Sequence, residues 1–182
     1  RKIKDDIFYI QMNKLSYDEF KNNIESFKNA KGIIFDLRGY PTKFPTPFLG
    51  HLSETELKSE KFLVPFVTRP DYQNVVFDTN EWSIPSLYPK LKSKIIFLTN
   101  TKAISYAETV MGIVENYKLG EIVGSPTAGT NGNVNRINLL GGIQILFTGM
   151  KTLKHDGSRY HGIGVKPTIP FERTIKGIRE GR

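Results

Sequence analysis

The stretch KIIFLTNTKAISYAETVMG, residues 94–112, joins an apolar run to a polar turn and then to a helix. The run KIIFL has the composition of a short buried strand, and a helix is predicted over about residues 104–118. The apolar stripe of this helix consists of Ala107, Val110, Met111 and Val114. This leaves Ser105 and Glu108 toward the edge of the stripe. Ser105 therefore stands near a helix N-terminus, where unused backbone N–H groups and partial positive charge collect.

The segment upstream of this stretch repeats the same order of elements. DIFYIQM, residues 6–12, reads as a strand, and LSYDEFKNNIESFKN, residues 15–29, as one helix that starts with a capping box of Ser16 and Glu19. GIIFDL, residues 32–37, is a short apolar run typical of a strand buried on both faces. Because the strand EIVGS follows the second helix, the pattern predicts two β-α-β units with parallel strands.

The remaining segments predict loops and hairpins around these two units. Residues 39–61 are rich in proline and polar residues and are expected to form a long irregular excursion. FLVPFVTRP and YQNVVFD are expected to form a hairpin off the main sheet, and Gly141–Gly142 marks a second hairpin. We interpret the whole as a single α/β domain.

Composition narrows the functional classes. The 26 Lys and Arg against 18 Asp and Glu give a net charge of +8, which raises nucleic-acid binding. The basic residues are scattered, however, and their nearest approach to a cluster is KLKSK, residues 90–94, so we favour a solvated basic surface and no nucleic-acid partner. The absence of cysteine excludes disulfides, thiolate catalysis and cysteine metal sites. No apolar stretch approaches the ~18 residues of a membrane span.

Taken one at a time, the candidate functional residues have structural explanations. A serine near a helix start is usually a cap, so Ser105 alone does not establish catalysis. Asp36 and Arg38 are expected to pair at the end of a buried strand. The loop 126–135 has the backbone of an anion cradle or of a flexible turn but lacks the lysine of a phosphate-binding loop. The histidines, His51, His155 and His161, all fall in predicted loops.

The order of four motifs is more specific than any one of them. GIIFDLRGYP, KIIFLTNTKAISYAETVMG, EIVGSPTAGTNGNVN and YHGIGVKPTI follow one another along most of the chain. This set resembles the catalytic core of the tail-specific, or C-terminal processing, serine peptidases, with their tricorn-type and interphotoreceptor retinoid-binding relatives. The resemblance implies an α/β fold: a crotonase-like (Clp-protease-like) core of β-β-α units, with a mostly parallel sheet and peripheral hairpins.

The resemblance also implies a domain organisation. Residues 1–182 correspond to a single peptidase-like core domain. Members of the family commonly carry a PDZ domain and further N-terminal segments, neither of which is found here. We therefore expect the sequence to be a fragment of a longer chain.

The resemblance assigns roles to individual positions. Ser105 in SYAE falls on the nucleophile, and the N–H of Tyr106 on the first oxyanion donor. The second donor is expected in the turn from Gly39 to Thr42, where Pro41 has no N–H to donate. The positions expected to shape the site are Asp36, Arg38, Glu108, Gly129 and Asn131.

The general base is where the sequence departs from the processing peptidases. Many of them place a lysine in the loop that is PTAGTNGNVN here, and Asn131 occupies that position. Asparagine does not accept a proton at useful pH, so a Ser/Lys dyad is not expected. Three explanations stay open. The base is a histidine on a segment preceding Arg1, as in the tricorn-type relatives; or His161 joins the site; or the domain has lost catalysis and kept binding.

The function implied is that of a serine endopeptidase-like domain that hydrolyses protein tails or unfolded peptides through an acyl-enzyme at Ser105. The alternative is an inactive member that binds a peptide or an apolar ligand. Neither a metal nor an organic cofactor is expected, because the covalent intermediate divides amide cleavage into two steps. The partner is a peptide or protein substrate. Because members of the family commonly act in the bacterial cell envelope, the expected location is this compartment, either periplasmic or secreted.

Overall fold

The computed structural model describes residues 1–4, 6–43 and 45–181, which form many short strands and fewer helices. The strands are β1 (Lys2–Lys4), β2 (Ile7–Gln11), β3 (Gly32–Asp36), β4 (Leu57–Lys58), β5 (Lys61–Phe66), β6 (Val76–Asn80), β7 (Ser83–Ile84), β8 (Lys94–Thr99), β9 (Glu121–Gly124), β10 (Val134–Asn138), β11 (Gln144–Thr148), β12 (Lys151–Leu153) and β13 (Ile169–Pro170). The helices are α1 (Tyr17–Asn22), α2 (Ile24–Lys28), α3 (Tyr106–Tyr117) and α4 (Ile175–Arg179), and 3₁₀ turns cover Thr46–Leu52 and Leu140–Gly142.

The main sheet has the strand order β1-β2-β3-β8-β9-β13. Strand β1 is antiparallel to β2, whereas β2, β3, β8, β9 and β13 are parallel to one another. Both predicted β-α-β units are confirmed: β2 and β3 flank α1 and α2, and β8 and β9 flank α3. The parallel sheet brings the carboxyl ends of β3 and β8 to one edge, where the site is built.

The first predicted helix is wrong in one respect, because the structure divides it at Asn23. Ser16 and Glu19 form the predicted capping box at the start of α1. Asn23 then leaves helical geometry, with φ −106° and ψ 6°, and its side-chain amide donates to the Glu19 carbonyl at 2.8 Å. A short amide side chain that bonds the backbone offers it an alternative to the helix, which explains the break.

Smaller antiparallel sheets stand beside the main one. The predicted hairpins are both found: β5 pairs with β6 in a sheet of order β12-β5-β6, and β10 pairs with β11. Strand β4 pairs with β7. The excursion after β3 is not wholly irregular, since it holds the 3₁₀ turn and β4.

Aromatic side chains fill the centre of the core between the sheet and its helices. Phe35 of β3 stacks on Phe97 of β8 with ring centroids 5.3 Å apart, and contacts Phe48 of the 3₁₀ turn at 5.1 Å. Phe20 of α1 lies 6.4 Å from Phe35, and all four side chains are fully buried. Such pairs stabilise by about 0.5–1.5 kcal/mol beyond their area burial. They fix β3 and β8 against each other.

None of the described helices combines the length and apolarity needed to cross a lipid bilayer.

A buried acid lies behind the helix α3. The side chain of Glu60 is fully buried, and neither carboxyl oxygen has a hydrogen-bond partner among the described residues. It occupies the space beside Gly112, where an added Cβ would come within 1.8 Å of its Oε1. Burial, reinforced by the charges of Glu108 and Glu115 and opposed by Lys154, raises the pKa of Glu60 to about 8. The group is therefore mostly protonated at neutral pH.

The buried acid predicts a fall in stability with rising pH. A folded pKa of about 8 against a model value of 4.5 means that the folded state holds the extra proton between these values. The stabilisation is complete below about pH 4.5 and is lost as the pH rises to about 8, with a slope of at most about 1.4 kcal/mol per pH unit. We expect Glu60→Gln to flatten this part of the curve in urea unfolding. Glu25→Gln, at an exposed position, is the control that keeps the slope, and parallel curves for Glu60→Gln and wild type would contradict the assignment.

Candidate active site

The turn between β8 and α3 positions Ser105. Asn100 ends the strand, and its side-chain Oδ1 accepts from the N–H of Lys102 at 2.9 Å, while its carbonyl accepts from the N–H of Ala103 at 2.9 Å. Ala103 is buried and anchors the turn to the core. The chain then enters α3 at Tyr106, two residues later than predicted. Ser105 is consequently the residue that precedes the first helical turn.

Ser105 has a backbone conformation that side-chain-bearing residues seldom adopt. Its φ is +51° and its ψ −117°, at the N-cap of α3. A residue other than glycine held at positive φ costs of order 1–3 kcal/mol, and such residues cluster at functional sites. The strain lies at the one position that the motif order assigns to a nucleophile.

Glu108 joins the serine turn to the loop after β9. Its Oε2 accepts from the Ser105 N–H at 3.1 Å and from the Thr130 N–H at 2.9 Å. Its Oε1 accepts from the Gly129 N–H at 2.7 Å and from the Thr127 hydroxyl at 2.8 Å. The side chain is fully buried, although the helical spacing places it only toward the edge of the apolar stripe. The S-x-x-E spacing of Ser105 and Glu108 is a capping-box signal that could have revealed this.

The loop after β9 and the YHGIGV segment hold each other in place. Gly129 has φ +72°, and an added Cβ would lie 2.8 Å from the Ile163 nitrogen. Its carbonyl accepts from the Gly162 N–H at 2.8 Å, and the Thr127 hydroxyl accepts from the Val165 N–H at 2.9 Å. Gly129 is thus required by both conformation and space. The structure thus brings this loop and the YHGIGV segment together beside the Ser105 turn.

A cleft of about 440 Å³ opens above Ser105. Its lining comprises Tyr40, Phe62, Val64, Asn80, Trp82, Ser105, Tyr106, Thr109, Asn131, Gly132, Asn133 and Met150. None of these described residues is acidic or basic. The contributions of β5, β6 and the segment before β7 to the cleft were not predicted from the sequence. The sequence feature that could have indicated this side of the cleft is the single tryptophan of the chain, Trp82, which lies next to a predicted hairpin.

The predicted oxyanion donors are placed unequally. Tyr106 lines the cleft, and its N–H is at the first position of α3, where the helix itself supplies no acceptor. The Thr42 N–H already donates to the Tyr40 carbonyl at 3.0 Å. Gly39 packs against Asn13 and lines a neighbouring cavity with Lys102. Of this turn, Tyr40 is the residue that reaches the cleft.

Asp36 and Arg38 form the structural pair that the sequence indicates. The Arg38 guanidinium donates to both Asp36 oxygens, at 3.0 Å and 2.8 Å, and the Tyr9 hydroxyl donates to the same carboxylate. Burial acts to raise the pKa of Asp36, but these hydrogen bonds outweigh it and hold the pKa below its usual value. The pair fixes the end of β3 and lies outside the cleft.

No described histidine or lysine lines the cleft around Ser105. The His161 imidazole bonds the Asn131 carbonyl through Nε2 at 2.7 Å, and His51 and His155 likewise bond the carbonyls of Pro89 and Lys58. Asn131 does line the cleft, where its amide donates to the Thr109 hydroxyl at 2.9 Å. Nor do His, Asp and Glu of the described chain form a group that would hold a metal ion.

Residues 6–171 match the model of peptidase family S41. The chain belongs to this family. The match covers the sheet, the Ser105 turn and the loop after β9, so the S41 assignment rests on the same elements that build the cleft. Among curated proteins, none matches the chain significantly.

Solved structures show the same S41 fold at low sequence identity. A proposed peptidase from Parabacteroides merdae superposes with a TM-score of 0.75 and 17% identity, covering 100% of this chain and 59% of the other. The photosystem II D1 C-terminal processing protease gives 0.61 and 17%, covering 90% and 42%. The tricorn protease gives 0.58 and 18%, covering 97% and 16%. The chain thus spans less than two thirds of each of these proteins, and the likeness shows a mostly parallel α/β fold.

Replacing the central acceptor should loosen the site. Glu108→Gln substitutes an amide donor for an oxygen that faces N–H donors, so we expect a loss of about 3 kcal/mol in the free energy of unfolding. Urea denaturation measures it. The matched control is Glu115→Gln on the same helix, which breaks a partly exposed ion pair with Lys154 and should cost about 1 kcal/mol or less. Equal losses would contradict the role of Glu108.

The strain at Ser105 predicts an unusual ranking of two variants. Glycine relieves the positive φ, at the cost of about 0.5–1 kcal/mol of chain entropy, whereas alanine keeps the strain. We expect Ser105→Gly to unfold with a free energy about 1 kcal/mol higher than Ser105→Ala. Thermal and urea unfolding of the two variants measure this difference. A more stable Ser105→Ala variant would show that the backbone of Ser105 is not strained.

Proposed function

We propose that this domain is the catalytic core of a serine peptidase that cleaves peptide bonds in extended or unfolded segments through an acyl-enzyme at Ser105. The observation that carries the proposal is the strained Ser105 at the mouth of α3, inside a cleft of peptide-binding size. Membership of peptidase family S41 supports a protein substrate.

The proposed reaction follows from this geometry. The Ser105 Oγ attacks the substrate carbonyl carbon and gives up its proton to a base. The carbonyl oxygen, now negative, lies beside the Tyr106 N–H and the N-terminal end of α3, both of which favour negative charge. Collapse breaks the C–N bond, and the departing amine takes the proton. Water then hydrolyses the ester and restores the serine.

The base is proposed to come from a part of the protein outside this sequence. Asn131 occupies the lysine position of the processing peptidases, and its amide is engaged with Thr109. His161 binds a backbone carbonyl of the loop. A histidine from an upstream segment, oriented at the open side of the cleft, would complete the site in the manner proposed from the tricorn-type resemblance.

A binding module is the second candidate, and one observation favours it: no described side chain that lines the cleft accepts a proton at neutral pH. In that case the same cleft holds a peptide or apolar ligand without cleaving it. The two candidates differ in whether Ser105 is nucleophilic.

Reaction of the full-length protein with an alkyl fluorophosphonate tests the nucleophile. We expect one adduct by intact mass, mapped to Ser105 and absent from Ser105→Ala, because only an activated serine attacks the phosphorus. Ser16→Ala is the matched control, since Ser16 is also a serine at a helix start, with an ordinary cap. This variant should retain the adduct. A folded full-length protein that takes no adduct would favour the binding module.

A further inference from the structure

A continuous row of aromatic rings forms one wall of the Ser105 cleft. Phe62 and Trp82 have ring centroids 5.7 Å apart, and Trp82 and Tyr106 5.8 Å apart. Tyr40 continues the row at 6.2 Å from Tyr106. We call Phe62, Trp82 and Tyr106, with Tyr40 at the end, the aromatic wall. Tyr106 directly follows Ser105, so the wall includes the neighbour of the candidate nucleophile.

The aromatic wall is held in place from several sides. The Tyr106 hydroxyl accepts from the Thr46 N–H at 2.6 Å, which fixes the ring to the loop after β3. The Trp82 N–H of the backbone donates to the Ser59 hydroxyl at 2.8 Å, and the Trp82 carbonyl accepts from the Ser59 N–H at 3.0 Å. Phe62 is buried, while 39% of the Trp82 side chain remains exposed to the cleft side and solvent. The rings are therefore arranged before a ligand arrives.

None of the described residues that line the cleft offers a charged ligand a counter-ion. Its lining includes Val64 and Met150 beside the rings, and its polar groups are neutral amides and hydroxyls. A charged side chain that enters loses hydration without gaining a counter-ion, whereas an apolar one gains from leaving water. This neutrality is notable in a chain in which 24% of residues are charged.

We propose that the aromatic wall is the subsite that receives a large apolar or aromatic side chain next to the scissile bond, so that the peptidase selects against charged residues at that position. The position of this subsite next to a cleaved bond rests on the proposed function. The preference for apolar over charged side chains rests on the cleft alone. The site fits one bulky side chain with its neighbouring backbone, as expected for a pocket of about 440 Å³.

The test uses three peptidyl diphenyl phosphonates on the full-length protein, identical except for Phe, Glu or Lys at the position next to phosphorus. We expect the Phe reagent to modify Ser105 at least about tenfold faster than the others, by intact mass over time. Trp82→Ala should reduce the ratio of the Phe rate to the rate of a small alkyl fluorophosphonate about tenfold. Phe66→Ala removes a 65% exposed ring outside the cleft and should leave that ratio unchanged.

The outcomes separate the subsite from the proposed function. If the small fluorophosphonate modifies Ser105 and the three phosphonates react equally, or a charged one reacts fastest, the aromatic subsite is wrong and the peptidase stands. If the small fluorophosphonate does not modify Ser105, the proposed peptidase function is wrong. Peptide binding then tests the aromatic subsite. Fluorescence of Trp82, corrected with Trp82→Phe, then reports the titration of Ac-Ala-Ala-Phe-NH2 against the Glu and Lys analogues. Tighter binding of the Phe peptide supports the aromatic wall, and equal binding overturns it.

Discussion

The Glu108 carboxylate is the interaction on which the rest of the site depends. It is fully buried and has no cationic partner among the described residues. N–H and O–H donors from the serine turn and the loop after β9 meet its negative charge. A carboxylate accepts hydrogen bonds only, so every donor around it has a fixed direction. The serine turn and the loop after β9 therefore adopt their conformations together, and the polar network specifies one arrangement of both.

This constraint is placed on a frame made by apolar packing. The parallel pairing of β3 and β8 and the stacked rings of Phe35 and Phe97 hold the two strand ends from which the site grows. The Asp36–Arg38 pair closes one strand end, and the Asn100 turn closes the other. The strained backbone of Ser105 persists because these surrounding contacts hold the turn in this conformation. Glu60 shows the opposite case, a buried carboxyl that has no hydrogen-bond donor among the described residues and keeps its proton instead.

The parts of the molecule that the sequence predicts are those governed by local periodicity. The buried strands, the helix stripe of Ala107 and Val110, the Ser16 capping box and both hairpins follow from patterns of neighbouring residues. The break at Asn23 was missed because the side chain of one asparagine there outweighs a helical pattern. The cleft was only half foreseen: Ser105, Tyr106 and Asn131 belong to the motifs, whereas Phe62 and Trp82 reach it through a tertiary arrangement that no spacing encodes. The local turn in which the Thr42 N–H donates to the Tyr40 carbonyl was also not predicted.

The walls of the cleft belong to different sheets, which are expected to respond differently to heat. Ser105 stands on the central parallel sheet, but Phe62 belongs to the outer β12-β5-β6 sheet, whose strand β6 is exposed along its whole length. Peripheral elements with few buried contacts open at lower free energy than core strands. Under the proposed function, the nucleophile lies beside the core sheet, whereas part of the aromatic wall lies on a peripheral sheet that we expect to open first. On warming, we therefore expect the aromatic wall to lose its proposed side-chain preference before Ser105 loses its proposed reactivity.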